Sequence, residues 1–235
     1  MSHPVTTSWT AINGDAGRFD AYLALPPGGS GPGLLLFQEI FGVNEHIRSV
    51  AEQYALAGFV VMAPDVFWQQ QPRIELGYSA DDVQRGRALA GAMDHGAVQR
   101  DMVDAVRTLR AVPQAAGRKA GVIGYCLGGR LAYTAAALTD VDAAVAYYGG
   151  GIQDQLDLAP RIQCPIQFHY GALDANIPLS AVDKVRAAVQ GKDAQVHVYD
   201  RADHGFNCWA RGSYHAASAA LAHGRSLQFL AQQLF

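Results

Sequence analysis

The sequence has little from which a disulfide frame, a membrane anchor or a polyelectrolyte surface could be built. Three cysteines, Cys126, Cys164 and Cys208, are spread over 235 residues. An odd count with no Cys-x-x-Cys pair argues for free thiols, so a reducing, cytoplasmic setting is expected. The longest apolar runs, such as residues 34–37 and 59–63, fall far short of the ~20 residues that span a bilayer. The opening residues 1–9 are mostly polar and hold no apolar core, so no leader peptide is expected. Only 17% of the residues are charged and the net charge is -3. With no run of like charges, nothing suggests a nucleic-acid or membrane-surface partner. Low-complexity tracts and internal repeats are also missing.

What the chain does have is apolar content, at 50% hydrophobic residues. That is enough for one large core, and residues 1–235 are read as a single domain. Residues 9–12 and 18–25 flank Asn13-Gly14-Asp15 and predict an opening hairpin. Residues 34–37, 59–63, 143–148, 165–170 and 195–199 read as buried strands. Helical spacing covers 46–57, 82–93, 97–109, 179–189 and 214–234. Strands alternating with helices predict an α/β fold: a mainly parallel central sheet with helices on both faces. In such sheets ligands sit at the carboxyl ends of the strands. The long loop 69–79 has no clear period, and loops of that kind often serve as lids or binding walls.

The most informative stretch is Gly124-Tyr125-Cys126-Leu127-Gly128-Gly129. Val122 and Ile123 end a strand, and an Ala-rich helix is expected from Leu131. A strand that turns directly into a helix holds its central residue in a strained conformation and pushes that side chain outward. The nucleophile elbow of α/β-hydrolases is built this way, with serine more often at the centre. A helix N-terminus favours negative charge, and the thiolate is the reactive form of cysteine.

Two later loops carry partners. Asp174 follows the strand ending near Tyr170, and His204 follows the strand ending near Tyr199. Nucleophile, acid and histidine occur in α/β-hydrolase order, not in the order of the chymotrypsin or subtilisin arrangements. His204 would take the thiol proton and later deliver it to the leaving group, while Asp174 would fix the imidazole tautomer. The N–H of Leu127 and that of Ile40, in the loop after an early strand, are the expected oxyanion donors.

With Gln38-Glu39-Ile40-Phe41-Gly42, Ala63-Pro64-Asp65, Gly171-x-x-Asp174 and His204-Gly205-Phe206, the chain resembles the dienelactone hydrolase family (carboxymethylenebutenolidases) over nearly its whole length. The resemblance implies an α/β-hydrolase fold, a Cys-His-Asp triad, no metal or cofactor, and hydrolysis of an enol-lactone to maleylacetate. It also implies that Glu39 lies beside the nucleophile and helps to activate the thiol when substrate arrives. The family's substrate carboxylate is gripped by two arginines. Arg85 is the nearest match for the first, with Arg87 as an alternative. For the second, residues 206–209 read Phe-Asn-Cys-Trp, and Arg211 is the first arginine available. Trp68, Tyr78, Tyr148 and Trp209 could line an apolar pocket, and Phe41 is assigned to it. The expected partner is a small ester or lactone, and the expected assembly a monomer or small homo-oligomer. Two alternatives stay open from the residues: an esterase or thioesterase of different range, and a redox-sensing thiol protein with Cys208 as resolving partner.

Overall fold

A computed structural model describes residues 4–235. The expectation about a leader therefore falls partly outside the described residues. Eight strands form one sheet in the order β1-β2-β4-β3-β5-β6-β7-β8. β1 (Thr6–Gly14) and β2 (Gly17–Leu25) form the antiparallel edge hairpin. Its two-residue turn is Asp15-Ala16, so Asn13 and Gly14 of the expected Asn13-Gly14-Asp15 turn end β1 instead, and the Asp15 N–H donates to Asp104 (3.0 Å). β3 (Gly33–Phe37), β4 (Val60–Pro64), β5 (Ala120–Tyr125), β6 (Ala143–Tyr147), β7 (Ile166–Gly171) and β8 (Ala194–Tyr199) run parallel. β3 to β7 are buried throughout, which is why they read as unbroken apolar runs with no alternation.

The crossovers set the layers. β3 leads through α1 (Glu45–Leu56) to β4 on one side, whereas β5 leads through α4 (Leu127–Leu138) to β6 on the other. Right-handed connections that travel in opposite directions leave from opposite faces. α1 shares its face with α6 (Ala216–Leu234), where the Tyr54 and His223 rings meet at 5.1 Å. α3 (His95–Ala111) and α4 cover the second face; α5 (Leu179–Ala188) packs beside them against two 3₁₀ helices, Ile152–Asp154 and Leu156–Arg161. A crevice therefore opens where β3 and β5 diverge, and the loops after both strands face it.

α2 (Ala80–Gly91) starts two residues before the expected 82, fixed by a capping box in which Ser79 and Asp82 bond each other's backbone N–H. The 69–79 loop is tied down. The Trp68 indole donates to Asp101 (2.7 Å), the Arg73 N–H donates to the Asp65 carboxylate (2.5 Å), and Leu76 N–H donates to the Phe41 carbonyl (2.9 Å). It is a fixed wall. Among the described residues no helix is long and apolar enough to cross a membrane.

Candidate active site

Cys126 stands between β5 and α4, and α4 begins at Leu127, four residues earlier than the Ala-rich pattern suggested. Its backbone is at φ 56°, ψ -114°, a region that costs a non-glycine residue about 1–3 kcal/mol. The surroundings enforce it: Cys126 N–H donates to the Tyr147 carbonyl (3.0 Å), and the Cys126 carbonyl accepts from Gly129 N–H (3.0 Å). The flanking glycines are required by close approach. A Cβ on Gly124 would lie 1.9 Å from the Gly128 carbonyl oxygen, and one on Gly128 would lie 2.2 Å from that of Phe37.

The three reactive loops converge. His204 Nε2 lies 3.1 Å from Cys126 Sγ, and His204 Nδ1 lies 2.7 Å from Asp174 Oδ2. Asp174 is 3% exposed, and its other oxygen accepts the N–H groups of Asn176 (2.9 Å) and Ile177 (3.2 Å), so the carboxylate cannot swing away from the ring. The Tyr148 ring meets the imidazole edge-on at 5.1 Å. Burial alone would lower the His204 pKa. The facing Cys126 sulfur and the Asp174 carboxylate outweigh burial and raise it to about 10. The Cys126 sulfur is only partly buried and faces a cavity of about 390 Å³.

Glu39 is 1% exposed. Its Oε1 accepts from Arg211 Nη1 at 3.0 Å, while its Oε2 is buried with no hydrogen-bond partner. Burial pushes its pKa up, and the Arg211 and His204 charges oppose that rise. Arg211 reaches in from the loop after His204 and lies 5.5 Å from the Phe41 ring centroid. Gly205 makes room for it. Gly205 has φ +78°, and a Cβ there would stand 2.4 Å from Arg211 Nη1.

Ile40, Phe41, Arg87, Cys126, His204 and Arg211 line the cavity. Arg85 does not. It points to solvent and donates to Gln71 Oε1 (2.7 Å). Positions 85 and 87 are roughly 200° apart around α2, so only one of them can face the site, and it is the alternative, Arg87. Leu127 opens α4, so its N–H has no intrahelical acceptor. Trp68 stacks on Phe19 away from the site, and Tyr78 and Trp209 line a neighbouring cavity. Asn176, Asp203 and Ser213 also line the cavity that Cys126 faces, with no sequence signal beyond their nearness to Asp174 and His204. Cys208 is fully buried and clusters with Glu39 and His46, a grouping the sequence spacing did not announce.

Residues 19–234 match the model of the dienelactone hydrolase family. A carboxymethylenebutenolidase of Pseudomonas putida is 36% identical over 220 residues, covering 92% of both chains. Carboxymethylenebutenolidase 1 of Cupriavidus pinatubonensis is 34% identical over 221 residues, again 92% of both. A crystal structure from Klebsiella pneumoniae superposes with a TM-score of 0.87 at 31% identity, covering 97% of this chain and 99% of that one. A family match over residues 19–234, the elbow and an eight-stranded, mainly parallel sheet agree: the chain belongs to the dienelactone hydrolase family and has its α/β-hydrolase fold.

Proposed function

We propose that this protein is a cysteine-dependent hydrolase of enol-lactones and activated carboxylic esters, with dienelactone-type lactones, opened to maleylacetate, as its substrate class. The observation that carries the reading is the continuous Cys126–His204–Asp174 chain, with contacts of 3.1 and 2.7 Å at an elbow open to the cavity. In this reading the Cys126 thiolate attacks the substrate carbonyl carbon. The N–H groups of Leu127 and Ile40 receive the developing oxyanion. Collapse expels the alkoxide or enolate, which takes the former thiol proton from His204 Nε2, and leaves a thioester with His204 neutral again. Water, giving its proton to His204 Nε2, then hydrolyses the thioester. Amides are poor substrates, because the thiolate leaves the tetrahedral intermediate more readily than an amine.

Arg211 and Arg87 both line the cavity and supply positive charge for a substrate carboxylate, Arg211 once it is released from Glu39. That carboxylate competes with Glu39 for Arg211. A released Glu39, buried and with its affinity for protons raised, is then suited to take the thiol proton first and pass it to His204 Nε2, which delivers it to the leaving oxygen. The redox-sensing alternative is weakened by Cys208, whose complete burial denies it the exposure of a resolving thiol. The test is incubation with an activated aryl ester and mass spectrometry of the Cys126 peptide. An acyl adduct at Cys126 and loss of turnover in Cys126→Ala are expected. Full turnover in Cys126→Ala would refute the mechanism.

A further inference from the structure

A second cavity, of about 500 Å³, lies beside the active-site loops and is lined by Asn44, Glu45, His46, Glu75, Tyr78 and Trp209. His46 forms part of its wall, with its ring edge-on to Trp209 at 4.2 Å. The donor atoms of Glu39, His46 and Cys208 all lie within 4.8 Å of one another. These side chains are 1%, 4% and 0% exposed. Both ring nitrogens of His46 and the Oε2 of Glu39 are buried with no hydrogen-bond partner, a costly condition for an imidazole and a carboxylate. The triad chemistry leaves His46 and Cys208 without a role.

We propose that Glu39, His46 and Cys208 form a site for one zinc-class divalent cation, approached through this second cavity, and that its occupancy slows hydrolysis. The donor set is one imidazole, one thiolate and one carboxylate, the mixture that zinc and cobalt select. Metal–ligand distances of about 2.0–2.3 Å put tetrahedral donors roughly 3.4–3.7 Å apart, so the three side chains close in by about 1 Å. Water from the cavity completes the fourth position, and Cys208 releases its proton to solvent on binding. The cavity rim carries Glu45 and Glu75, which favour a cation; Arg48 pairs with Glu75 at 2.7 Å and offsets part of that charge. Arg211 bonds Glu39 through Oε1, which leaves Oε2 for the metal. Outer support is present as well. Asn44 Nδ2 donates to the Tyr78 hydroxyl at 3.1 Å, and that hydroxyl abuts Cys208. A cation on Oε2 would withhold Glu39 from the thiol, so the inhibitory part of the proposal rests on the hydrolase reading above; the binding part does not.

Cobalt(II) titration of the full-length Cys126→Ser protein tests binding with no need for turnover. One equivalent is expected to bind with a thiolate-to-cobalt charge-transfer band and four-coordinate visible bands. Cys208→Ser in that background should abolish the charge-transfer band, and His46→Ala should weaken binding by more than about 10-fold, the lower bound for losing even an outer partner. Cys208→Ala and His46→Gln serve if either variant fails to fold by circular dichroism. A charge-transfer band that survives loss of Cys208, or no saturable binding, overturns the site. In the second arm, zinc is added to the Cys126-intact protein and each variant is compared with its own metal-free rate. A loss of at least about 10-fold, reversed by chelator and blunted in His46→Gln, is expected. Equal zinc sensitivity with and without His46 would mean that the metal acts on Cys126, and would overturn the inhibitory role.

Discussion

Gly205→Ala probes how the fold delivers Arg211 to Glu39. Two separable costs follow from the structure. The first is backbone: at φ +78° an alanine is in the left-handed region, at about 1–2 kcal/mol. The second is steric. The new methyl would stand 2.4 Å from Arg211 Nη1, and because that atom is the end of a flexible side chain, it yields by moving. Moving it breaks the 3.0 Å bond to Glu39, a carboxylate 1% exposed whose other oxygen is already unpartnered. Leaving such an acceptor unsatisfied costs roughly 1–3 kcal/mol, limited because Glu39 can pick up a proton. The reduced freedom of the unfolded chain returns about 0.4–1 kcal/mol, and it cancels in any comparison between backgrounds. Urea unfolding of the wild type, Gly205→Ala, Arg211→Met and the double variant measures the terms. Gly205→Ala should cost about 2–4 kcal/mol in the wild type and only the backbone part in Arg211→Met, giving a coupling of roughly 1–3 kcal/mol. If the cost is the same in both backgrounds within about 0.5 kcal/mol, Gly205 is not there to admit Arg211 and the reasoning fails.

Asp174→Asn should lower kcat by on the order of 10³–10⁴ with the fold intact, because an amide can still receive the Asn176 and Ile177 N–H groups but no longer fixes the imidazole tautomer; turnover within tenfold of wild type would contradict the triad. Glu39→Gln should lower KM for a carboxylate-bearing lactone by freeing Arg211, and should lower kcat by removing the proton acceptor; for a neutral aryl ester KM should stay unchanged, so equal KM shifts on both substrates would remove the competition idea. The pKa of His204 is raised, from 6.5 to about 10, so the stability it contributes is fully present below about pH 6.5 and is lost as pH rises towards 10. The stability advantage of wild type over His204→Gln should therefore shrink across that window in urea titrations, and an advantage that grows with pH would reverse the assignment. Gly124→Ala should yield little soluble protein, since its methyl would meet backbone at 1.9 Å, where no side chain can give way.

Much of this molecule was legible in the chain, for local reasons. Runs such as Leu34-Leu35-Leu36-Phe37 declare a strand buried on both faces, and Gly-x-Cys-x-Gly between strand and helix declares an elbow, because only glycines tolerate those approaches. Cys126, Asp174 and His204 were ordered along the sequence, each after its own strand, and parallel topology brings such loops to one edge of the sheet. Element ends were less legible. α2 starts where Ser79 and Asp82 cap it, and α4 starts where the strained Cys126 backbone ends, not where alanines accumulate. Tertiary structure alone decided which arginine faces the cavity, since helical phase against a neighbouring loop selects Arg87 over Arg85. It also decided that Arg211, seven residues past the histidine, folds back across Gly205 to Glu39, and that His46, from a helix 162 positions away from Cys208, shares a buried cluster with it. Those pairings depend on distances between segments remote in sequence, and remote segments acquire fixed distances only when the sheet and its helices have packed.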